Sequence, residues 1–281
     1  MALEPCVGSA HDGCMTKIIV PLDGSLEGEL ALPHARELAG EDPILLVSAI
    51  WQGEPVAPRQ YLEERATQII GPPVETHVTL DDRPAHAIAE LAKAQAPALI
   101  CMATHGRNTL AQAVLGSTAE ELTRSIDDPV LLVGPNAAYQ PDRAKAANVV
   151  VAVDGPETAE VIVPIAAAFA RRRGLHLWTV QSVPPAPYPF VASADVPAQP
   201  HEGAGIDAAV ATLARDNETT DSKLLIGIDP ADAIVKFARE LPASIVIVGT
   251  HARRGLARIA LGNTAMRVVH TCPCPVLVVR Q

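Results

Sequence analysis

This chain repeats itself, and that constrains its fold more than any other feature. Lys17-Ile-Ile-Val-Pro-Leu-Asp-Gly24 returns 131 residues later as Asn148-Val-Val-Val-Ala-Val-Asp-Gly155. Ala103-Thr-His-Gly-Arg107 returns as Gly249-Thr-His-Ala-Arg253 at an offset of 146, and 7 of 15 positions are identical between 103–117 and 249–263. The same offset pairs Pro84 with Pro230, and Val130-Leu-Leu-Val133 with Val276-Leu-Val-Val279. The 15-residue change of offset requires an insertion in the second copy, and the Pro- and Ala-rich stretch Val183–Gly205 is the expected place. Its prolines cannot donate ladder hydrogen bonds, which predicts a surface excursion.

The duplication divides the 281 residues into a tail (1–15), a first domain (16–135), a polar linker (136–147) and a second domain (148–281). Each copy is close to the commonest domain size of ~100–150 residues. Hydrophobic residues make up 48% and aromatics only 3%, so both cores must be built from Ala, Val, Leu and Ile. In copy one, short apolar runs predict strands at 18–22, 44–50, 74–78, 98–103 and 130–133. Helical patterns fall between them at 27–38, 61–70, 84–94 and 117–125, with Pro84 suited to a first helical turn. Strands that alternate with helices and are apolar on both faces imply a parallel sheet covered on each side. The expected fold class is α/β, with two tandem doubly wound parallel five-stranded sheets and helices on both faces. Such sheets bind ligands beyond the carboxyl ends of their strands. Asp23 and 103–106 lie at two such ends in copy one, and Asp154 and 249–252 in copy two.

The net charge of −10 argues against a nucleic-acid partner, which needs clustered Lys and Arg. No apolar run approaches the ~18 residues of a membrane span, and residues 1–15 carry Glu4, His11 and Asp12 without the apolar stretch of a secretory leader. Five cysteines do not suggest a disulfide framework, so a reducing cytoplasm is the expected location.

The repeated segments A-T-H-G-R-N-T-L-A-Q-A-V-L-G-S and G-T-H-A-R-R-G-L-A-R-I-A-L-G-N both resemble the G-x2-G-x9-G-[ST] loop of the universal stress protein family. The resemblance covers nearly the whole chain twice. It includes the Asp after the first strand, Asp229-Pro-Ala231 and the closing C-P-V-L-V-V from Cys274. It implies an adenine-nucleotide alpha-hydrolase-like fold and a binding site for ATP or a related adenine nucleotide, with or without Mg. By resemblance, Asp23 and Asp154 are the carboxylates that meet the adenosine, and Ala49 and Val180 mark the backbone beside the adenine. The loop positions are Ala103, Gly106, Gly116 and Ser117 in copy one, and Gly249, Ala252, Gly262 and Asn263 in copy two. Glycine permits φ > 0 and close backbone approach, and the N-terminus of the following helix favours anions. Ser117 can cap that helix or bond a phosphate oxygen. Plain turns are the structural alternative for these glycines and for both Asp-Gly pairs.

Copy one departs from the pattern once, at Ala103, and copy two twice, at Ala252 and Asn263. If nucleotide binds, copy one is therefore expected to be the tighter site. His105 and His251 read as loop-packing residues, and Arg253, Arg254 and Arg258 either line a phosphate entrance or form a solvated face. Cys272-Pro-Cys274 beside His270 lacks the spacing of a metal site, and no metal is expected there or in the tail around Cys6, His11 and Cys14. With no P-loop and no activated nucleophile in view, catalysis ranks below binding. Three functions remain: a nucleotide-binding stress-response regulator, a nucleotide-free dimerisation or interaction module, and a slow ATPase. The short apolar strands 130–133 and 276–279 are expected to pair the two copies within the chain, since bare edges invite association. A homodimer is expected from the resemblance alone.

Overall fold

The computed structural model describes residues 17–104, 115–126, 128–137, 146–185, 203–215, 218–241, 244–250 and 261–280. Copy one contains β1 (Lys17–Pro21), α1 (Leu26–Glu29), α2 (Ala31–Ala39), β2 (Ile44–Ile50), α3 (Val56–Gln68), β3 (Val74–Leu80), α4 (Pro84–Ala94), β4 (Ala98–Ala103), α5 (Ser117–Ser125) and β5 (Val130–Val133). Copy two contains β6 (Asn148–Val153), α6 (Pro156–Arg173), β7 (His176–Val183), α7 (Ala204–Arg215), β8 (Asp221–Ile226), α8 (Pro230–Glu240), β9 (Ser244–Thr250), α9 (Asn263–Thr271) and β10 (Val276–Arg280).

Several boundaries differ from the sequence expectation. The helix expected at 27–38 is broken at Leu30, whose N–H bonds to Glu27 O in a tightened turn. Pro33 has no N–H to offer Glu29 O, and Gly28 weakens the preceding turn. Copy two carries the equivalent Pro164 inside a continuous α6, but has Ala159 in place of that glycine. The helix expected at 61–70 runs instead from Val56 to Gln68, and the third strand extends to Leu80. Val183 ends β7, and Ala204–Gly205 open α7, so both ends of the expected excursion are regular structure. Residues 186–202 lie outside the described residues. The first residues after β5 pack against both copies. Ala137 is fully buried, its carbonyl meets His34 Nε2 at 2.8 Å, and Asn136 Nδ2 donates to His270 O at 2.9 Å.

The strands form one ten-stranded sheet of order β3-β2-β1-β4-β5-β10-β9-β6-β7-β8. All pairs within each half are parallel. The halves join through the antiparallel pair β5–β10, with Leu131 opposite Leu277. Residues 130–133 and 276–279 are all buried, so this seam is core, not surface. Gly134 follows directly, and a Cβ there would sit 2.1 Å from Val269 O of α9. On one face, α4, α5, α8 and α9 pack over a single apolar layer, and on the other α2, α3, α6 and α7 do the same. Equivalent helices of the two copies thus share a face. Because the halves meet antiparallel, their strand carboxyl ends point to opposite edges of the sheet.

Candidate functional site

In each half the order is that of a doubly wound sheet, with the reversal between β1 and β4 in copy one and between β6 and β9 in copy two. After β1 the chain passes to α2 on one face, and after β4 to α5 on the other. The connections part there and leave a crevice at the carboxyl edge, where ligands of such folds sit.

Asp23 lies just beyond β1. The β1–β4 register, continued past Ile19 opposite Ile100, sets it level with Thr104. Its Oδ1 accepts from Ser25 N at 3.0 Å and from Ser25 Oγ, while Ser25 Oγ accepts from Gly28 N at 3.1 Å and so caps α1. A Cβ at Gly28 would stand 3.0 Å from Asp23 Oδ1. The carboxylate is exposed yet held by a turn that needs both a hydroxyl and a glycine. Asp154, also exposed, is level with Thr250 in the same way and is held by a different device: Thr158 of α6 donates its hydroxyl to Asp154 Oδ1.

Ala103 is the buried last residue of β4 opposite Val133, and Gly249 occupies the equivalent place opposite Val279. Gly116 N donates to Thr104 O at 2.8 Å, and a Cβ on Gly116 would stand 3.0 Å from that oxygen. Gly116 has φ −58° and Gly262 φ −60°, so neither needs the left-handed region. The requirement for glycine at 116 is close approach alone, and a Cβ at Gly262 would meet nothing within 4 Å among the described residues. Ser117 is not the helix cap. Gly116 and Gly262 are the N-caps, and Ser117 and Asn263 are the exposed first helical residues. Among the described residues neither helix has a side-chain cap, and its positive end favours an anion. Gly106, Ala252, His105, His251, Arg253, Arg254 and Arg258 lie outside the described residues, as do Cys6, His11 and Cys14.

Strand register corrects the pairing of Ala49 with Val180. Ile18 faces Ile44 and its counterpart Val149 faces Leu177, so Ala49 corresponds to Ser182 and Val180 to Val47. The offset there is 133, so two of the extra residues of copy two precede β7. A motif spacing cannot register such a shift between strands. The correction reveals a residue that the sequence reading missed. Ser182 Oγ and Thr250 Oγ1 are buried without a hydrogen-bond partner among the described residues. Both are level with Asp154, on strands that flank β6. Buried orphan hydroxyls of this kind call for a partner from elsewhere.

Asp229 of the Asp-Pro-Ala segment plays a structural part: it caps α8 by accepting from Asp232 N at 3.1 Å, and it pairs with Arg267 of α9. A separate cavity of about 440 Å³ lies away from both carboxyl edges, between the ends of α2 and α6, lined by Glu37, Glu41, Arg172 and Arg173 among others. Among the described residues no group of His, Cys, Asp and Glu could hold a metal ion, and no helix is long and apolar enough to cross a membrane.

The sequence matches the Universal stress protein family over residues 15–134 and again over 146–280. A universal stress protein of Mycobacterium bovis is 29% identical over 185 residues, covering 65% of this chain and 62% of that relative's length. A putative universal stress protein from Pseudomonas aeruginosa shares the fold, with a TM-score of 0.67, 23% identity, and coverage of 96% of this chain and 94% of the other. A universal stress protein from Archaeoglobus fulgidus gives a TM-score of 0.64 at 17% identity, covering 95% and 99%. With its two matches spanning most of its length, the chain belongs to the universal stress protein family and carries the family's domain twice.

Proposed function

We propose that this protein binds ATP or a related adenine nucleotide at the carboxyl edges of its sheet and acts as a stress-response regulator. The observation that carries the reading is what gathers at each strand reversal: an oriented aspartate, a strand end, and a nine-residue helix whose N-terminus has no side-chain cap among the described residues. A ribose hydroxyl suits the aspartate, and a phosphate suits the helix end. In copy two, the orphan hydroxyls of Ser182 and Thr250 add two groups in need of a polar ligand. The bound nucleotide carries Mg where its phosphates are free to chelate it.

Copy one is the tighter site in this reading. Copy two departs from the loop pattern twice, and each lost bond to a charged oxygen costs ~1.5–3 kcal/mol, or roughly ten- to a hundredfold in affinity. Calorimetric titration of ATP into the native protein, Asp23→Ala and Asp154→Ala tests both statements. The aspartates are better probes than the glycines, since a side chain at Gly116 pushes on Thr104 O whether or not ligand is present. Saturable heat that falls more in Asp23→Ala than in Asp154→Ala is expected. The reverse ranking refutes the order of the sites, and no heat from the native protein refutes nucleotide binding.

A second reading, an association module without nucleotide, draws on the edge strand β8. Leu224 and Ile226 are exposed there, and Ile228 beyond it is 90% exposed. A concentration-dependent dimer that forms equally well without nucleotide favours it.

A further inference from the structure

Cys272 and Cys274 stand apart from the carboxyl-edge sites. Pro273 biases the residue before it away from the helical region, so α9 ends at Cys272, with φ −69° and ψ 135°. Cys272 N still bonds to Val268 O at 2.9 Å. The turn through Pro273 then brings Cys274 Sγ to 3.2 Å from Cys272 Sγ. Both residues are buried, at 0% and 1% exposure, in the layer beneath α8 and α9.

Copy one ends its helix at the same place without sulfur. Its counterparts are Ile126, Asp127 and Asp128, followed by Pro129 as Cys274 is followed by Pro275. Ile126 is buried at 2% and ends α5 just as Cys272 ends α9, with its N–H on Leu122 O at 3.2 Å. Ending the helix there therefore does not require a thiol, and the pair is a property of copy two. The third buried cysteine, Cys101, lies under the opposite face of the sheet, donates to Ala31 O at 3.6 Å, and is pushed up to about 12 by burial. It is not near the pair.

We propose that Cys272 and Cys274 form a redox-active dithiol that closes to an intrachain disulfide when a peroxide-class oxidant reaches it. The sulfurs have to close by about 1 Å to reach the ~2.05 Å of a disulfide. The thiolate of one cysteine attacks a peroxide oxygen, becomes a sulfenic acid and releases hydroxide, which takes up a proton to leave as water. The second thiol attacks the sulfenic sulfur and expels a second water. In sum, two thiols and one hydrogen peroxide give one disulfide and two waters, the sulfurs being oxidised and the peroxide reduced. Burial means that the oxidant enters only during local opening of the turn, which makes the pair slower than an exposed thiol but commits it to an internal partner. The last turn of α9 touches the seam between the copies through Asn136 Nδ2 on His270 O and through Gly134 against Val269 O. Oxidation thus acts at the junction of the two halves.

The test uses the native full chain. It is exposed to hydrogen peroxide, its remaining thiols are alkylated, and it is digested with trypsin. Cleavage after Arg267 and Arg280 isolates both cysteines in the single peptide Val268–Arg280, away from Cys6, Cys14 and Cys101. The expected result is loss of two hydrogens from that peptide and of both its alkylation sites, reversed by dithiothreitol. In Cys274→Ser, the Cys272 peptide should instead gain oxygen or a mixed disulfide. Unchanged alkylation of the native peptide, or sulfinic acid on either cysteine in place of the disulfide, overturns the proposal. So does a disulfide to Cys6 or Cys14.

Discussion

Gly134→Ala tests the seam that sends the two carboxyl edges in opposite directions. The added Cβ would lie 2.1 Å from Val269 O and 3.3 Å from Val269 C, both backbone atoms of α9. A carbon rarely comes nearer than about 3 Å to a carbonyl oxygen, so either the end of β5 or the last turn of α9 has to move by ~1 Å. No rotamer can relieve this, because both partners are main chain. Nor does φ enter, since Gly134 is not among the glycines with positive φ. Movement on either side disturbs Leu131, Leu132, Val276 and Leu277, which are all fully buried. Overpacking of a tight core costs ~1–3 kcal/mol, and a backbone obstacle places this case at the top, about 3 kcal/mol. At roughly 2–4 °C per kcal/mol for chains of this order, the melting temperature should fall by about 6–12 °C. Gly262→Ala is the control. Its Cβ would meet nothing within 4 Å among the described residues, and the loss of a glycine N-cap costs no more than ~1 kcal/mol. The two variants and the parent are compared by circular dichroism melts and urea titration. Equal shifts for both variants, or a Gly134→Ala protein that melts with the parent, would refute the close approach and with it the seam.

Ser25→Ala removes the cap of α1 and the hydroxyl that holds Asp23; a loss of ~1 kcal/mol in urea titration is expected, and an unchanged midpoint would show that the turn stands without it. Asp229 is held below the usual carboxylate range, first by the Asp232 N–H and then by Arg267. A carboxyl depressed in the folded state contributes stability that is complete above the unfolded value of about 3.9 and is lost as pH falls through the lower folded value. Asp229→Asn should therefore flatten the acid limb of the stability curve below about pH 4 while leaving its shape near neutrality alone; a limb as steep as the parent's contradicts this. Arg173 stacks over Phe169 at 4.4 Å, but its three guanidinium nitrogens are buried without hydrogen-bond partners among the described residues, and burial pushes its pKa down to about 10. Arg173→Leu should raise stability by about 1 kcal/mol, and a clear destabilisation in urea would mean that the guanidinium has a partner outside these contacts.

Much of this architecture is legible along the chain because its causes are local. Short apolar runs bounded by Gly, Pro and Asp fix β2, β4 and β5 to the residue, and Pro84 and Pro230 start α4 and α8 where a missing N–H costs nothing. The duplication is pure sequence, and so are both Asp-Gly pairs and the strand-end positions Ala103 and Gly249. The break at Leu30 was not legible, because it depends on Gly28 and Pro33 acting together, and copy two runs through the same proline. Nor was the role of Gly116, which is required by the Thr104 carbonyl and not by its own φ.

What the tertiary structure alone decided is register and direction. The alignment of Ala49 with Ser182 rests on which residue of β2 faces β1 and which residue of β7 faces β6, contacts between segments that motif spacing cannot connect. It exposed the orphan hydroxyls of Ser182 and Thr250, which no pattern in the sequence announces. The 3.2 Å approach of Cys272 and Cys274 likewise needs the turn to be folded before two sulfurs become a pair. The antiparallel meeting of β5 and β10 turns two similar halves into one sheet with its crevices at opposite edges. The physical reason is common to all of these. Hydrophobic alternation specifies which residues are buried, but a one-residue slip or a reversed neighbour is resolved only by packing between residues far apart in the chain.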